Sequence, residues 1–378
     1  MTPGRAVLYA GFTLSGLMTV LLGVLVPELR RLYALGDGQA GAVFAVQFFA
    51  ATAASSSYGW TAGRWPAARV AGVSYLILAT GAACFLAGGL AAVWAGVAVY
   101  GLGLGLNIAA VNLAMALSRR GEAVRSLNLL NLFWGAGAVA GPAIISWALS
   151  CAPLPAVMGG LAIFLAAAGV TTLWLHRAQA GSPPGSSEPA GGAASRFPWL
   201  ELIFLFFYVG AETCLSGWLP SLGQRRLNLS PPSAAAAQSL FWLGILAGRS
   251  LSAAWAGRAA RSWMQTGLML AAAGTALLLH GTVPMAFFAG ACLAGLGLAP
   301  QFPTAVALYQ QRAGASAVTW TGILFAGGGL GGAVMPWMLG LVSARTGSLT
   351  LAAYSVFLLL AVMFALIRPA GPDGKNLR

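Results

Sequence analysis

Charged side chains are scarce in this chain. Among its 378 residues, Asp, Glu, Lys and Arg together make up 7%, whereas hydrophobic residues make up 59%. Soluble domains carry about 25% charged residues. The composition therefore excludes an ordinary soluble globular domain and predicts a polytopic membrane protein.

Residues that perform catalysis or bind metals are also few. The two histidines, His176 and His280, lie at the ends of apolar segments. The four cysteines are far apart and lack the spacing of a metal site or a disulfide framework: Cys84, Cys151, Cys214 and Cys292. We therefore predict no catalytic residue and no metal, which disfavours a membrane-embedded enzyme. Without a Walker-type loop, a proton or sodium gradient is the expected energy source, with no cofactor.

Basic residues outnumber acidic ones, 20 to 7, for a formal net charge of +13. They stand singly or in pairs between apolar segments, so they report membrane topology and do not indicate a nucleic-acid partner. The expected partners are the lipid bilayer and a small-molecule solute, and the protein is expected to be a monomer.

Twelve apolar segments reach the roughly 20 residues that a helix needs to cross a membrane. They are continuous and do not alternate apolar with polar residues, which favours helices over barrel strands. The first is too long for a signal peptide and is expected to be a retained helix. The segments, numbered as spans 1 to 12, are 7–26, 41–62, 70–93, 95–117, 127–149, 154–175, 199–221, 234–256, 264–282, 285–308, 318–342 and 349–367.

The distribution of Lys and Arg predicts the orientation in the membrane. With a cytoplasmic N-terminus, the inside segments hold fourteen of these residues and the outside segments hold five, while Arg249 lies within span 8. Cytoplasmic loops are enriched in Lys and Arg. We therefore expect a multi-pass protein of a bacterial inner (plasma) membrane with both termini in the cytoplasm.

The chain divides into two halves that resemble each other. The segment from 178 to 195 is rich in Pro, Gly and Ser, which is typical of a flexible linker. At a fixed offset of 194 residues, Gly101 to Leu104 match Gly295 to Leu298, and Ala62 to Arg64 match Ala256 to Arg258. The sequence therefore predicts a six-helix bundle over 1–176, a cytoplasmic linker over 177–197 and a second six-helix bundle over 198–378.

A parallel repeat of six helices is the architecture of major facilitator transporters, so we predict an all-α, pseudo-symmetric fold of six plus six transmembrane helices. Leu127 to Pro142 resembles the pattern "LN...F.G.G...GP", and Tyr208 to Leu219 resembles "YVG.E....WL". Both patterns are typical of the branch that contains fucose-proton symporters and sodium-dependent glucose transporter-like proteins. The resemblance implies a sugar transporter. The chain departs from the fucose symporters at two positions: it has Gly23 and Ile108 where the resemblance implies a carboxylate in span 1 and another in span 4.

Glu212 is the one acidic residue in the middle of an apolar span. A carboxylate at bilayer depth is costly and indicates a functional site. Tyr208, Glu212 and Ser216 lie four residues apart, so they form one polar stripe on a helix. We expect Glu212 to bind the coupling ion; the alternative is a protonated Glu that only bonds to a neighbouring helix.

Amides and aromatic rings at mid-span are the candidate solute ligands. Amides both donate and accept hydrogen bonds, which suits hydroxyl-rich solutes, and aromatic faces suit the C–H surfaces of sugars. For each amide, a plain helix–helix hydrogen bond is the alternative. Asn107 and Gln301 are repeat mates and form a plausible clamp between the halves. The candidates are Asn107, Asn112, Asn128, Asn131, Trp134, Tyr208, Trp218, Gln238, Trp242 and Gln301.

Two basic turns, after spans 2 and 8, resemble the cytoplasmic gating motif of the superfamily. Arg249 is expected either to extend toward the membrane surface or, less favoured, to bind an anion. The residues assigned to gating are Gly63, Arg64, Arg69, Arg249, Gly257 and Arg258.

These features together predict a secondary transporter of a small polyhydroxylated solute, coupled to protons or sodium through Glu212. Two alternatives stay open: an exporter of amphipathic compounds, favoured if the cavity is mostly aromatic, and an uncoupled facilitator.

Overall fold

A computed structural model describes residues 3–61, 64–116, 123–177, 197–255, 260–313 and 317–367. This part of the chain is helical, and α3 continues as a 3-10 helix over Cys84–Ala87. The helices are α1 Pro3–Tyr33, α2 Asp37–Thr61, α3 Ala67–Ala83, α4 Leu90–Ala116, α5 Ala123–Cys151, α6 Leu154–Leu175, α7 Trp199–Leu227, α8 Pro231–Trp255, α9 Ala260–His280, α10 Pro284–Leu298, α11 Gln301–Ala313, α12 Ala317–Thr346, α13 Leu349–Ala353 and α14 Ser355–Leu366.

These helices form the twelve predicted spans. Among the described residues, eleven stretches are long and apolar enough to cross a membrane, with α10 and α11 joined into one stretch and α13 and α14 into another. The twelfth span is α8, whose polar residues include Gln238 and Arg249. Pro300 separates α10 from α11, since proline has no N–H to continue the helical hydrogen bonds. The all-α fold of twelve transmembrane helices is therefore confirmed.

The predicted end of span 3, at residue 93, is wrong. The 3-10 helix that follows α3 ends at Ala87, and α4 already begins at Leu90. Gly88 and Gly89 between them have φ values of 68° and 80°. Only glycine adopts this backbone region at little cost, so the pair makes a sharp turn inside what reads as one apolar run.

Glycine packing repeats between the first half of the molecule, α1 to α6, and the second half, α7 to α14. A side chain on Gly101 of α4 would collide with the carbonyl of Gln47, and one on Gly295 of α10 with the carbonyl of Phe241, which is the repeat mate of Gln47. The same helix pair is therefore in backbone contact in both halves, as the offset of 194 predicts. The domain boundaries stay a prediction, because 178–196 lie outside the described residues.

The two ends of the bundle can be named by the chain segments they contain. The end that holds Pro3 and Ile367 is called the terminal end, and the end that holds the turn between α1 and α2 is called the distal end. Helices α2 and α12 pack along each other across the two halves, as do α5 and α8. These two pairs flank the space between the halves.

A buried carboxylate joins the halves at the distal end. Asp37, at the first residue of α2, is 9% exposed and accepts two hydrogen bonds from Arg225 of α7, at 2.8 and 2.5 Å. It also accepts one from Ser343 of α12 at 2.6 Å and lies 3.0 Å from Arg30 of its own half. Bidentate Arg–carboxylate pairs are among the stronger polar contacts in proteins. We call Asp37, Arg225 and Ser343 the distal latch.

Further contacts close the distal half of the bundle below the latch. Gln238 of α8 donates to the backbone carbonyl of Val20 in α1 at 2.9 Å, across the two halves. Gly41 lies directly against the backbone of Pro336 and Trp337 in α12. Access to the centre of the molecule from the distal end is therefore blocked in this conformation.

The α5–α8 contact is close near its middle and more exposed toward the terminal end. A Cβ added at Gly135 of α5 would lie 2.9 Å from Leu246 of α8. Asn131 and Asn128 follow Gly135 on the same helical face toward the terminal end, and both are exposed. The space between the halves therefore opens toward the terminal end.

The distal latch generates a first prediction. Asp37→Asn removes the charge that Arg225 binds, and hydrogen bonds to charged groups contribute about 1.5–3 kcal/mol. The variant should shift the population toward conformations open at the distal end by about tenfold or more. Spin labels at the exposed positions Gln39 and Thr346, in a cysteine-free background, report this as a longer distance. Glu28→Gln is the matched control, because Glu28 pairs with Arg31 within α1; equal distance distributions in both variants would contradict the latch.

The glycine contacts generate a second prediction. An alanine methyl at Gly137 of α5 would collide with the backbone carbonyl of Thr13, whereas one at Gly160 of α6 meets open space. Gly137→Ala should therefore lower the melting temperature of the purified protein. Gly160→Ala should leave it unchanged or raise it, since alanine favours helix by roughly 0.5–1 kcal/mol over glycine. A higher melting temperature for Gly137→Ala would refute the packing argument.

Candidate functional site

A cavity of about 90 Å³ lies between the halves near the middle of the bundle. Its walls come from α1 and α2, from α5, and from α7 and α8. The lining residues are Thr19, Val20, Gly23, Phe44, Phe48, Trp134, Val209, Glu212, Thr213, Ser216, Gly217, Gln238 and Trp242. Its volume exceeds that of a single water site several-fold.

Glu212 supplies the carboxylate of this cavity. Its position in the middle of α7 follows from the length of that helix, which leaves a dozen residues or more on either side. The Tyr208 hydroxyl, one turn earlier, donates to Oε1 of Glu212 at 2.6 Å. The stripe formed by Tyr208, Glu212 and Ser216 thus faces the interior, with Glu212 and Ser216 lining the cavity.

Arg249 of α8 lies beside this carboxylate. Its Nη2 is 3.9 Å from Oε1 of Glu212, and the two side chains are 32% and 13% exposed. The contact is at the outer distance of an ion pair, and the buried Nε of Arg249 has no hydrogen-bond partner. Arg249 is therefore part of a Tyr208–Glu212–Arg249 cluster, which sequence reasoning about membrane-surface or anion contacts did not anticipate.

An amide and two indoles form the α5–α8 side of the cavity. Trp134 and Trp242 meet edge to face with their ring centroids 5.3 Å apart. The Nε1 atom of Trp242 and the Oε1 atom of Gln238 are buried without a partner. Buried polar atoms are normally hydrogen-bonded. Both residues belong to the cavity lining, and each carries one polar atom without a partner in the protein.

Gly23 explains how Gln238 reaches its position. A side chain on Gly23 would overlap the Gln238 amide, whose Nε2 instead passes this glycine to bond the carbonyl of Val20. The amide of the opposite half therefore occupies the space that a side chain at position 23 would fill.

Other predicted solute ligands lie outside the cavity lining. Asn107 is fully buried within the first half, accepting from Ser15 at 2.6 Å and donating to Ser74 at 2.8 Å. Gln301 is equally buried and donates to the carbonyls of Met264 and Gly297 in the second half. The structure does not bring this proposed clamp together.

The remaining predicted ligands also bond locally or face the opening. Asn112 and Asn131 each donate to the carbonyl four residues earlier, Asn128 is exposed, and Trp218 is buried with its Nε1 bonded to the Pro336 carbonyl at 3.2 Å. Asn128 and Asn131 share the α5 face that leads to the terminal end. They line the approach to the cavity and not the cavity itself.

The predicted gating residues are described only in part. Gly63, Gly257 and Arg258 lie outside the described residues. Arg64 is exposed, and Arg69 is exposed with its guanidinium 5.7 Å from the Trp65 ring centre. The turn after α2 is therefore stabilised in part by a cation–π contact.

Sequence reasoning missed both the latch and several cavity residues. The available signal for the latch was the charge pattern, because Asp37 lies at the start of a predicted helix on the same side of the membrane as Arg225. Thr19, Phe44 and Phe48 carry no such signal, because they are ordinary residues of apolar spans.

Solved structures with a similar fold include three transporters. A bacterial homologue of the human lysosomal transporter Spinster, in an inward-facing and occupied conformation, aligns with a TM-score of 0.71 at 14% identity over 97% of this chain and 94% of its own. The transporter FucP, in its outward conformation, aligns with a TM-score of 0.66 at 18% identity, over 97% of this chain and 98% of its own. The peptide transporter POT (E310Q mutant) aligns with a TM-score of 0.77 at 15% identity, over 96% of this chain and 94% of its own. At these identities the likeness shows the fold alone.

Comparison with curated proteins gives no match. A model of the Major Facilitator Superfamily matches residues 8–317, which is most of the chain. The helical repeat, the cavity between the halves and this match agree, and the chain belongs to the Major Facilitator Superfamily of transporters.

Proposed function

We propose that this protein is a secondary active transporter that moves a small polyhydroxylated solute, most simply a sugar, coupled to protons or sodium through Glu212. The observation that carries the proposal is a carboxylate in a small cavity between two helical halves, beside free hydrogen-bonding atoms. Sites of this kind near the bilayer midplane hold the solute in major facilitator transporters.

The lining of the cavity supports a hydroxyl-rich solute. The free Trp242 Nε1–H suits an acceptor and the free Gln238 Oε1 suits a donor, and a sugar hydroxyl is both. Thr213 and Ser216 add hydroxyl groups to the same lining. The indoles of Trp134 and Trp242 provide apolar faces for the C–H surface of a sugar ring.

The Tyr208–Glu212–Arg249 cluster supports ion coupling. Glu212 accepts from Tyr208 and faces Arg249, so a proton or sodium ion on Glu212 changes the charge balance inside the bundle. A ligand shifts a conformational equilibrium only through its differential affinity for the states. A solute and an ion that bind in one cavity between the halves each bind with different affinity when the halves move apart, so each can shift the equilibrium.

The closed distal end supports alternating access. In this conformation the latch holds the distal end shut and the space between the halves opens toward the terminal end. We propose that the terminal end faces the cytoplasm of a bacterial cell, on the basis of the fourteen-to-five distribution of basic residues. The conformation is then the inward-facing one of a symporter in the inner membrane.

An exporter of amphipathic compounds is the second candidate. It is favoured by the aromatic share of the lining, since Phe44, Phe48, Trp134 and Trp242 all contribute. The carboxylate and the two unpartnered polar atoms favour the sugar transporter, because an apolar compound would leave them without partners.

A third prediction tests the coupling role of Glu212. Proteoliposomes are loaded with buffer and given a panel of labelled sugars, with and without an inward proton or sodium gradient. Wild type and Glu28→Gln should accumulate the transported sugar above its external concentration. Glu212→Gln should only equilibrate or exchange it, because an amide cannot bind and release a proton. Accumulation by Glu212→Gln equal to that of wild type would make Glu212 structural, and transport of dyes without any sugar would favour the exporter.

A fourth prediction tests the solute contact at Trp242. Trp242→Phe keeps an aromatic ring but removes the free N–H donor. One neutral hydrogen bond contributes about 0.5–1.5 kcal/mol, so the KM for the sugar should rise roughly two- to tenfold with little change in kcat. Trp147→Phe is the control, since Trp147 is 66% exposed on the outer face of α5. An unchanged KM for Trp242→Phe would place the solute elsewhere.

A further inference from the structure

We infer that the solute bears a carboxylate and that Arg249 binds it, so that the transported molecule is a sugar acid and not a neutral sugar. This inference rests on the proposed function and narrows its solute class. It assigns to Arg249 the position at the terminal side of the cavity, where the solute carboxylate takes the place of Glu212 as counter-ion.

The guanidinium of Arg249 has unused binding capacity. Arginine has five N–H donors in a planar fork. Here the nearest carboxylate oxygen is at 3.9 Å, and the buried Nε has no partner. One third of the Arg249 side chain is exposed. An incoming carboxylate can therefore reach a guanidinium that its present counter-ion does not hold in a bidentate pair.

Glu212 has a second partner besides Arg249. The Tyr208 hydroxyl donates to Oε1 of Glu212 at 2.6 Å, and this is the same oxygen that faces Arg249. Protonation or sodium binding neutralises Glu212 and leaves Arg249 without a counter-ion. An unpaired charge inside a protein is strongly unfavourable, whereas a bound anion restores neutrality. Ion binding at Glu212 therefore favours an anionic solute over a neutral one.

No other described carboxylate lies close enough to replace Glu212 in this role. Apart from Glu212 and Arg249, the charged side chains that the structure describes lie near helix ends or in turns, toward one surface or the other: Arg5, Glu28, Arg30, Arg31, Asp37, Arg64, Arg69, Arg177, Glu201, Arg225, Arg226, Arg261, Arg312 and Arg345. Glu201 pairs with Arg312, and Asp37 belongs to the distal latch. Arg249 thus depends on Glu212 or on a bound anion.

The spacing on α8 fits a sugar acid. Arg249 follows Trp242 by seven residues, which is two turns on the same face and roughly 10 Å along the axis. The arginine side chain bridges part of this distance toward Glu212, which lines the cavity. The solute hydroxyl groups then bind Gln238 and Trp242, and the solute carboxylate binds Arg249. One six-carbon sugar acid can make both sets of contacts with α8.

Matched pairs of probes test the inference. D-glucuronate is compared with D-glucose, and D-galacturonate with D-galactose, in proteoliposome uptake and in ligand-induced shifts of the melting temperature. Wild type should take up and bind at least one acid about tenfold or more better than its neutral parent. Arg249→Gln should lose this preference, while Arg249→Lys, which keeps the positive charge, should retain part of it.

The outcomes separate this inference from the proposed function. If neutral sugars are transported as well as their acids, and Arg249→Gln leaves the ratio unchanged, the inference is overturned while the sugar transporter stands. If no sugar or sugar acid binds or moves, both fail. If Arg249→Gln fails to fold, the ratio of sugar-acid uptake to neutral-sugar uptake in the wild type decides the inference alone.

Discussion

The interior of this protein is organised around a largely buried carboxylate in the middle of a membrane-spanning helix. Glu212 lies in the middle of α7, where an isolated charge is strongly unfavourable, and it is stabilised by the Tyr208 hydroxyl and by Arg249. Each partner comes from a helix that also lines the space between the halves. Under the coupling proposed above, an ion that neutralises Glu212 changes the contacts between α7 and α8, and the cluster of three polar side chains connects that ion to the shape of the cavity.

The small residues of α1 decide which groups can enter that cavity. With glycine at position 23, the Gln238 amide crosses from the second half to the backbone of Val20 in the first. The acid of the cavity lining comes from the second half, on α7, and the first half contributes a backbone carbonyl and aromatic rings. This arrangement concentrates the electrostatics of transport on one half of the molecule.

Hydropathy and the internal repeat were sufficient to predict the twelve helices, because each helix must satisfy its own backbone in lipid. Glu212 was found for a related reason, since a charge in an apolar span is visible without knowledge of any partner. The distal latch was not, because Asp37 meets Arg225 and Ser343 across 188 and 306 residues of chain. The role of Asn107 was equally out of reach: its amide bonds to Ser15 and Ser74, and only their positions in the folded bundle show that it is satisfied there. The residue type alone therefore shows that a polar side chain in an apolar span is energetically unfavourable. Which partner stabilises that side chain depends on the tertiary fold.

The latch and the central cluster differ in what happens when their contacts break. Asp37 lies 3.0 Å from Arg30, which belongs to the same half and also donates to the carbonyl of Leu35. When the halves separate at the distal end, Asp37 keeps this counter-ion and Arg225 becomes exposed to solvent at the helix end. The latch can therefore open without leaving a buried, unpaired charge. Arg249 has no such reserve among the described residues, so its pair with Glu212 is replaced only when another anion arrives. Asp37 therefore has a counter-ion both before and after the distal end opens. Arg249, in contrast, depends on a bound anion once Glu212 is neutralised.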